Sequence, residues 1–198
     1  MNLPNKLTVL RMILIPFVMF FYLASFIPYG IGKIIALVIF IVAALTDLLD
    51  GKIARKHNLV TNLGKFLDPI ADKILTASVL FMLIAGQNPV IPAPWGVIVV
   101  SIIIAREFMV SALRLIAASQ GTVLAADIWG KAKTMVQMIA IPICMFIPFL
   151  IEVGGVAEWF ILTVQIIGWS AIGAATVLTV ISGVNYLVKN IQCFKDSK

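Results

Sequence analysis

Charge is scarce in this 198-residue chain: Asp, Glu, Lys and Arg together supply 12% of it, against about a quarter in an ordinary soluble domain. Mean hydropathy is +1.09 and 62% of the residues are hydrophobic, which excludes a soluble globular domain and points to an integral membrane protein. Acidic residues are the scarcer sign, nine against fifteen basic ones, for a formal net charge of +6. In a soluble chain that excess would raise nucleic-acid binding. In a membrane protein it marks cytoplasmic loops instead, so no nucleic-acid partner is expected. Cysteine is limited to Cys144, in an apolar stretch, and Cys193, in the basic tail. They lie at different depths, without metal-ligand spacing, and are not expected to form a disulfide. The only histidine, His57, sits in a basic loop and reads as a solvated side chain. No cleavable signal peptide is expected, because the first apolar stretch carries Arg11 and Pro16 and ends without a small-x-small site. No lipidation signal, internal repeat or soluble second domain is apparent, so residues 1–198 read as one membrane domain.

What is present is a series of long apolar runs. A spanning helix needs about 20 of them in a row, and six candidates fall at 7–26, 34–49, 67–85, 95–117, 132–151 and 159–187. Turn chemistry separates them at Pro28-Tyr29-Gly30, at Gly86-Gln87-Asn88-Pro89 with Pro92 and Pro94, and at Gly154-Gly155. On this six-span topology Lys6, Lys52, Arg55, Lys56, Lys65, Lys131, Lys133, Lys189, Lys195 and Lys198 share one side. Lys33, Glu152 and Glu158 occupy the other. The positive-inside rule then places both termini in the cytoplasm of a multi-pass cell-membrane protein. Trp95, Trp159 and Tyr29 read as interfacial anchors, and Ala171-x-x-x-Ala175 as a close-packing stripe on the last helix.

Four of the nine acids fall within one segment: Asp47-x-x-Asp50-Gly51-x-x-Ala54-Arg55, eight residues, then Gly64-x-x-x-Asp68-x-x-x-Asp72. On helices, Asp47 and Asp50 share one face at i and i+3, and Asp68 and Asp72 share another at i and i+4. A short basic loop from Lys52 to Lys65 would join the two helices and aim the carboxylates at one another. Four anions in a low-dielectric setting repel strongly unless neutralised. Two divalent cations, Mg²⁺ or Mn²⁺, suit hard oxygen ligands of this kind. Helix capping or pairing with nearby lysines leaves the two glycines and the paired spacing unexplained.

This spacing resembles the signature of the CDP-alcohol phosphotransferase family, whose members move a phosphatidyl or similar group from a CDP-linked donor onto an alcohol. All eight signature positions match. The resemblance implies that the first part of the motif serves the CDP moiety and the metals, that Asp72 is the general base, and that the protein is a homodimer. Physical chemistry fits these roles. Gly51, Ala54 and Gly64 let backbone approach the nucleotide and phosphates. Arg55 can give a phosphate two hydrogen bonds from one planar fork. Asn5 and Thr8, at the start of the first span, read either as donor-side contacts or as helix-start residues.

Further ionisable residues lie inside apolar stretches, where each costs several kcal/mol unless partnered or wetted. They include Lys73, Arg106, Glu107 and Arg114. Arg106 and Arg114 share a helical face, whereas adjacent Arg106 and Glu107 point about 100° apart, which disfavours a purely internal pair. A polar cavity opening to the cytoplasm would account for all of them. The expected fold is therefore all-α, six transmembrane helices around such a cavity. Arg106, Arg114, Lys131 and Lys133 exceed what a CDP-linked donor requires and suit an acceptor that is itself phosphorylated. The segments around Asn5 to Arg11, Arg106 to Arg114 and Gly130 to Gln137 are similar to the branch of the family that uses sn-glycerol 3-phosphate and CDP-diacylglycerol. Inositol phosphate is the alternative acceptor. A divalent-cation transporter would explain the aspartates, but not the arginines and lysines around them, and no second acidic pair repeats the motif in the C-terminal half.

Overall fold

Hydrogen bonding carries several helices past the apolar runs that mark them. The computed structural model describes residues 3–27, 30–56, 62–85, 89–119 and 127–190, with the backbone alone at 3–4, 48–56, 62–66, 68, 119 and 190. The helices are α1 (Leu3–Leu23), α2 (Ile31–Lys56), α3 (Asn62–Ile84), α4 (Trp95–Ser119), α5 (Ile128–Val153) and α6 (Glu158–Asn190). Among the described residues there is no strand. By length and composition, α1, α4, α5 and α6 can each cross a membrane, in windows such as Trp95–Ala118 and Ile128–Val153.

The largest departures from the apolar runs are at the motif. α2 continues to Lys56 and α3 starts at Asn62, so most of the expected Lys52-to-Lys65 loop is helical. Lipid contact requires apolar side chains, but the helical hydrogen-bond ladder does not, and Lys, Ala and Arg are good helix formers. α5 likewise begins before its apolar run. Asp127 caps it with extended backbone (φ −73°, ψ 147°) and accepts from the Ile128 N–H at 3.0 Å. Its other end stops at Gly154 and Gly155, both with φ of 69°, a positive value that glycine adopts without strain.

α1 is the shared strut of the N-terminal half, packing on both α2 and α3. Ile15, Val18 and Tyr22 recur on one buried face of it, and Ala36, Phe40 and Ala43 on one face of α2. α5 packs on α6 and α2, while α4 packs on α6 and α3. The outward faces carry Phe17, Phe20, Leu115, Ile139 and Val188 exposed, an apolar surface suited to lipid and not to water. The small-residue stripe expected on the last helix is present but starts a turn earlier. Gly168 and Ala175 are buried and Ala171 is half-buried. A Cβ built on Gly168 would stand 3.0 Å from the Cys144 Sγ.

Helix association in lipid depends on close contact and not on water exclusion. Gly168→Val should therefore force α5 and α6 apart and cost about 1–3 kcal/mol by overpacking. Thermal unfolding in detergent should show a midpoint several degrees lower. An unchanged midpoint would mean that this contact yields without cost.

Candidate active site

The site is built from α1 outwards. Asn5, Thr8 and Arg11 recur at three-residue spacing on one face and are buried, Thr8 and Arg11 completely. Arg11 lies inside an apolar span, Asn5–Leu23, where a guanidinium needs an opposite charge. Asp47 on α2 provides it: Arg11 Nη1 is 2.6 Å from Asp47 Oδ1, and the Asp47 side chain keeps 31% of its surface exposed. Asp72 on α3 interacts electrostatically with Asp47, Lys73, Glu107 and Arg11. Asp47 thus pairs directly with the α1 arginine, and Asp72 feels its charge. Locally, Lys73 Nζ donates to the Pro69 carbonyl at 3.1 Å, and Thr76 Oγ1 to the Asp72 carbonyl at 3.0 Å.

Asp50, Gly51, Ala54 and Arg55 lie on α2 after Asp47, and Gly64 and Asp68 on α3 before Asp72. Their side chains, like His57 and Cys193, lie outside the described residues. Among the described residues no three His, Cys, Asp or Glu side chains converge on one point. The donor set nevertheless fits a hard divalent cation: four carboxylates at helical spacing on α2 and α3, of which Asp47 is accessible. Gly64 stands in the first turn of α3, and Gly51 stands inside α2, where it costs about 1 kcal/mol relative to alanine. That cost argues for close approach of backbone to another group.

A second cluster joins α4, α5 and α6. Glu107 accepts from Lys133 Nζ and lies 3.4 Å from Arg106 Nη1. Arg106 Nη2 donates to Ser182 Oγ. Its side chain is clasped by two glycines: a Cβ on Gly130 would lie 3.2 Å from Nη2, and one on Gly183 would lie 3.2 Å from Cγ. Arg114 stacks over the Tyr186 ring, 5.5 Å from its centroid. Arg106 and Arg114 share a face, as their spacing predicts, and both turn toward α6. Lys133 is buried and Lys131 exposed. The four expected acceptor cations therefore divide into an Arg106–Lys133 pair on one carboxylate, Arg114 on an aromatic ring, and Lys131 at the surface. The neighbouring Arg106 and Glu107 do touch, since a long arginine can fold back across the angle that separates them.

A narrow cleft lined by Lys73, Thr76, Glu107 and Gln137 separates α3, α4 and α5 between the two clusters. The larger void, about 580 Å³, lies at the opposite end of the bundle beside Lys33, Glu152 and Trp169. Most of the motif side chains that would line the expected polar cavity lie outside the described residues, and this cleft is its described part.

Sequence reasoning gave no role to Arg11, Gln137 or Ser182. Arg11 carried a signal, a lone cation deep in an apolar run. Ser182 carried none, because its partner Arg106 is 76 positions away.

Residues 1–184 match the family described as CDP-alcohol phosphatidyltransferase, and the chain belongs to that family. Three similar proteins share the name CDP-diacylglycerol–glycerol-3-phosphate 3-phosphatidyltransferase. The Bacillus subtilis protein is 41% identical over 208 residues, covering 99% of this chain and 98% of its own length. That of Rickettsia felis is 37% identical with 93% of each chain covered. That of Haemophilus influenzae is 40% identical, covering 71% of this chain and 73% of its own.

Proposed function

We propose that this chain transfers a phosphatidyl group from CDP-diacylglycerol to sn-glycerol 3-phosphate, giving phosphatidylglycerophosphate and CMP. The observation that carries the reading is the ion pair of buried Arg11 with Asp47 at the start of the acidic motif, with an Arg106–Lys133–Glu107 cluster across a narrow cleft. Asp47, Asp50, Asp68 and Asp72 would hold two Mg²⁺ or Mn²⁺ ions, which when bound polarise phosphoryl oxygens and neutralise the leaving nucleotide. Asn5, Thr8, Gly51, Ala54, Arg55 and Gly64 form the CDP side, with Arg55 donating to phosphate. Arg106 and Lys133, oriented by Glu107, bind the phosphate of the acceptor, with Arg114 and Lys131 at the entrance.

Asp72 takes the proton from the primary hydroxyl of glycerol 3-phosphate as that oxygen bonds to the diacylglycerol-bearing phosphorus. The bond from this phosphorus to the CMP oxygen breaks, and CMP leaves. Positioning carries most of the effect, since a carboxylate is a weak base in water. All six helices span the bilayer, with the motif and both termini cytoplasmic in the cell membrane, and the protein acts as a single-domain homodimer.

CMP release by purified protein in detergent tests the reading, with CDP-diacylglycerol, Mg²⁺ or Mn²⁺, and one acceptor at a time. Turnover is expected with glycerol 3-phosphate and not with serine. Turnover with inositol phosphate instead would keep the donor chemistry and overturn the acceptor. No turnover with any acceptor, in folded and metal-loaded protein, would overturn the enzyme reading.

A further inference from the structure

We propose that Arg11 is the resident counter-ion of the acidic motif. It holds Asp47 before a metal arrives and leaves one positive charge in surplus when two are bound. The inference rests on the two-metal reading above and adds a residue from outside the motif. Arg11 stands on α1, a different helix from all four carboxylates, and its side chain has no exposed surface. A guanidinium keeps its charge in any protein setting, so its burial in a membrane helix has to be offset. The 2.6 Å contact with Asp47 does so. Because α1 packs on both α2 and α3, the same charge also acts on Asp72.

Charge counting gives this contact a second consequence. Four carboxylates and one guanidinium sum to three negative charges, which two divalent cations convert to a single positive one. That surplus faces a donor whose diphosphate is anionic. Without Arg11 the loaded site would be neutral, and the metal-free site would carry four negative charges. Arg11 therefore competes with metal for Asp47 and, in the loaded site, favours the donor. Its removal should move metal affinity and turnover in opposite directions. A residue that only braced the fold would lower both together.

The test is Mn²⁺ binding to metal-free purified protein, read by the electron paramagnetic resonance signal of free Mn²⁺ and by thermal shift, alongside CMP release at saturating Mn²⁺. Arg11→Met should bind Mn²⁺ roughly tenfold more tightly, as loss of a neighbouring unit charge predicts, and turn over at least about tenfold more slowly. Arg11→Lys should keep metal affinity near wild type, with intermediate turnover. Arg11→Gln serves as the neutral variant if the methionine form does not fold. Unchanged or weaker Mn²⁺ binding in a folded neutral variant would overturn the proposal while leaving the two-metal reading intact. Wild-type protein that binds no Mn²⁺ would overturn both.

Discussion

Asp72→Asn is expected to reduce CMP release on the order of a thousandfold, within the range that a positioned general base contributes, without lowering the unfolding midpoint of the metal-free protein. The two halves of that result have separate causes. An amide has the size of the carboxylate but accepts no proton at this pH, so attack by the acceptor hydroxyl loses its proton sink. Stability should hold or rise because burial and the Asp47 and Glu107 carboxylates together outweigh the attraction of Lys73 and Arg11 for the Asp72 charge, so neutralising it relieves a cost. Thr76 donates to the backbone carbonyl of Asp72 and not to its carboxylate, so that contact survives the change. Turnover near wild type would move the base role to another residue. Lost Mn²⁺ binding with turnover restored at high metal would make Asp72 a ligand and not the base.

The fold was legible wherever one apolar run made one helix. All six runs correspond to α1 through α6, and in α1, α4, α5 and α6 the apolar stretch is long enough to leave the chain little choice in lipid. The ends were less legible. Helix continues through Lys56, and from Asn62 onward, because backbone hydrogen bonding persists after hydropathy fails. The acidic motif was legible as spacing, since i, i+3 and i, i+4 fix faces before any tertiary contact forms. Cross-helix partners were not. Arg11 to Asp47, Lys133 to Glu107 and Arg106 to Ser182 depend on which helices become neighbours. One-dimensional spacing has no term for that. What sequence does supply is the cost: a lone Arg11 or Glu107 inside an apolar run implies that a partner exists, even where it does not name one.

Lys133 and Glu107 allow the acceptor cluster to be separated from the structural pair it resembles. Lys133 is almost fully buried, whereas Glu107 retains 23% exposure. Removing the lysine alone leaves a carboxylate whose remaining neighbour, Arg106, is 3.4 Å away and also bonded to Ser182. Lys133→Met should cost about 3 kcal/mol, toward the lower end of what breaking a buried pair costs, because Glu107 is partly solvated and partly rescued by Arg106. Lys133→Met combined with Glu107→Leu should recover most of that loss, since well-packed apolar replacements of a buried pair are often neutral. Activity should not follow stability. Both forms lack the ammonium that would meet the acceptor phosphate, so KM for glycerol 3-phosphate should rise at least about tenfold in each, with the response to CDP-diacylglycerol little changed. Thermal unfolding and acceptor titration on the two variants give the comparison directly. If the double variant regains both stability and acceptor affinity, the pair is a structural tie, and the phosphate must bind elsewhere.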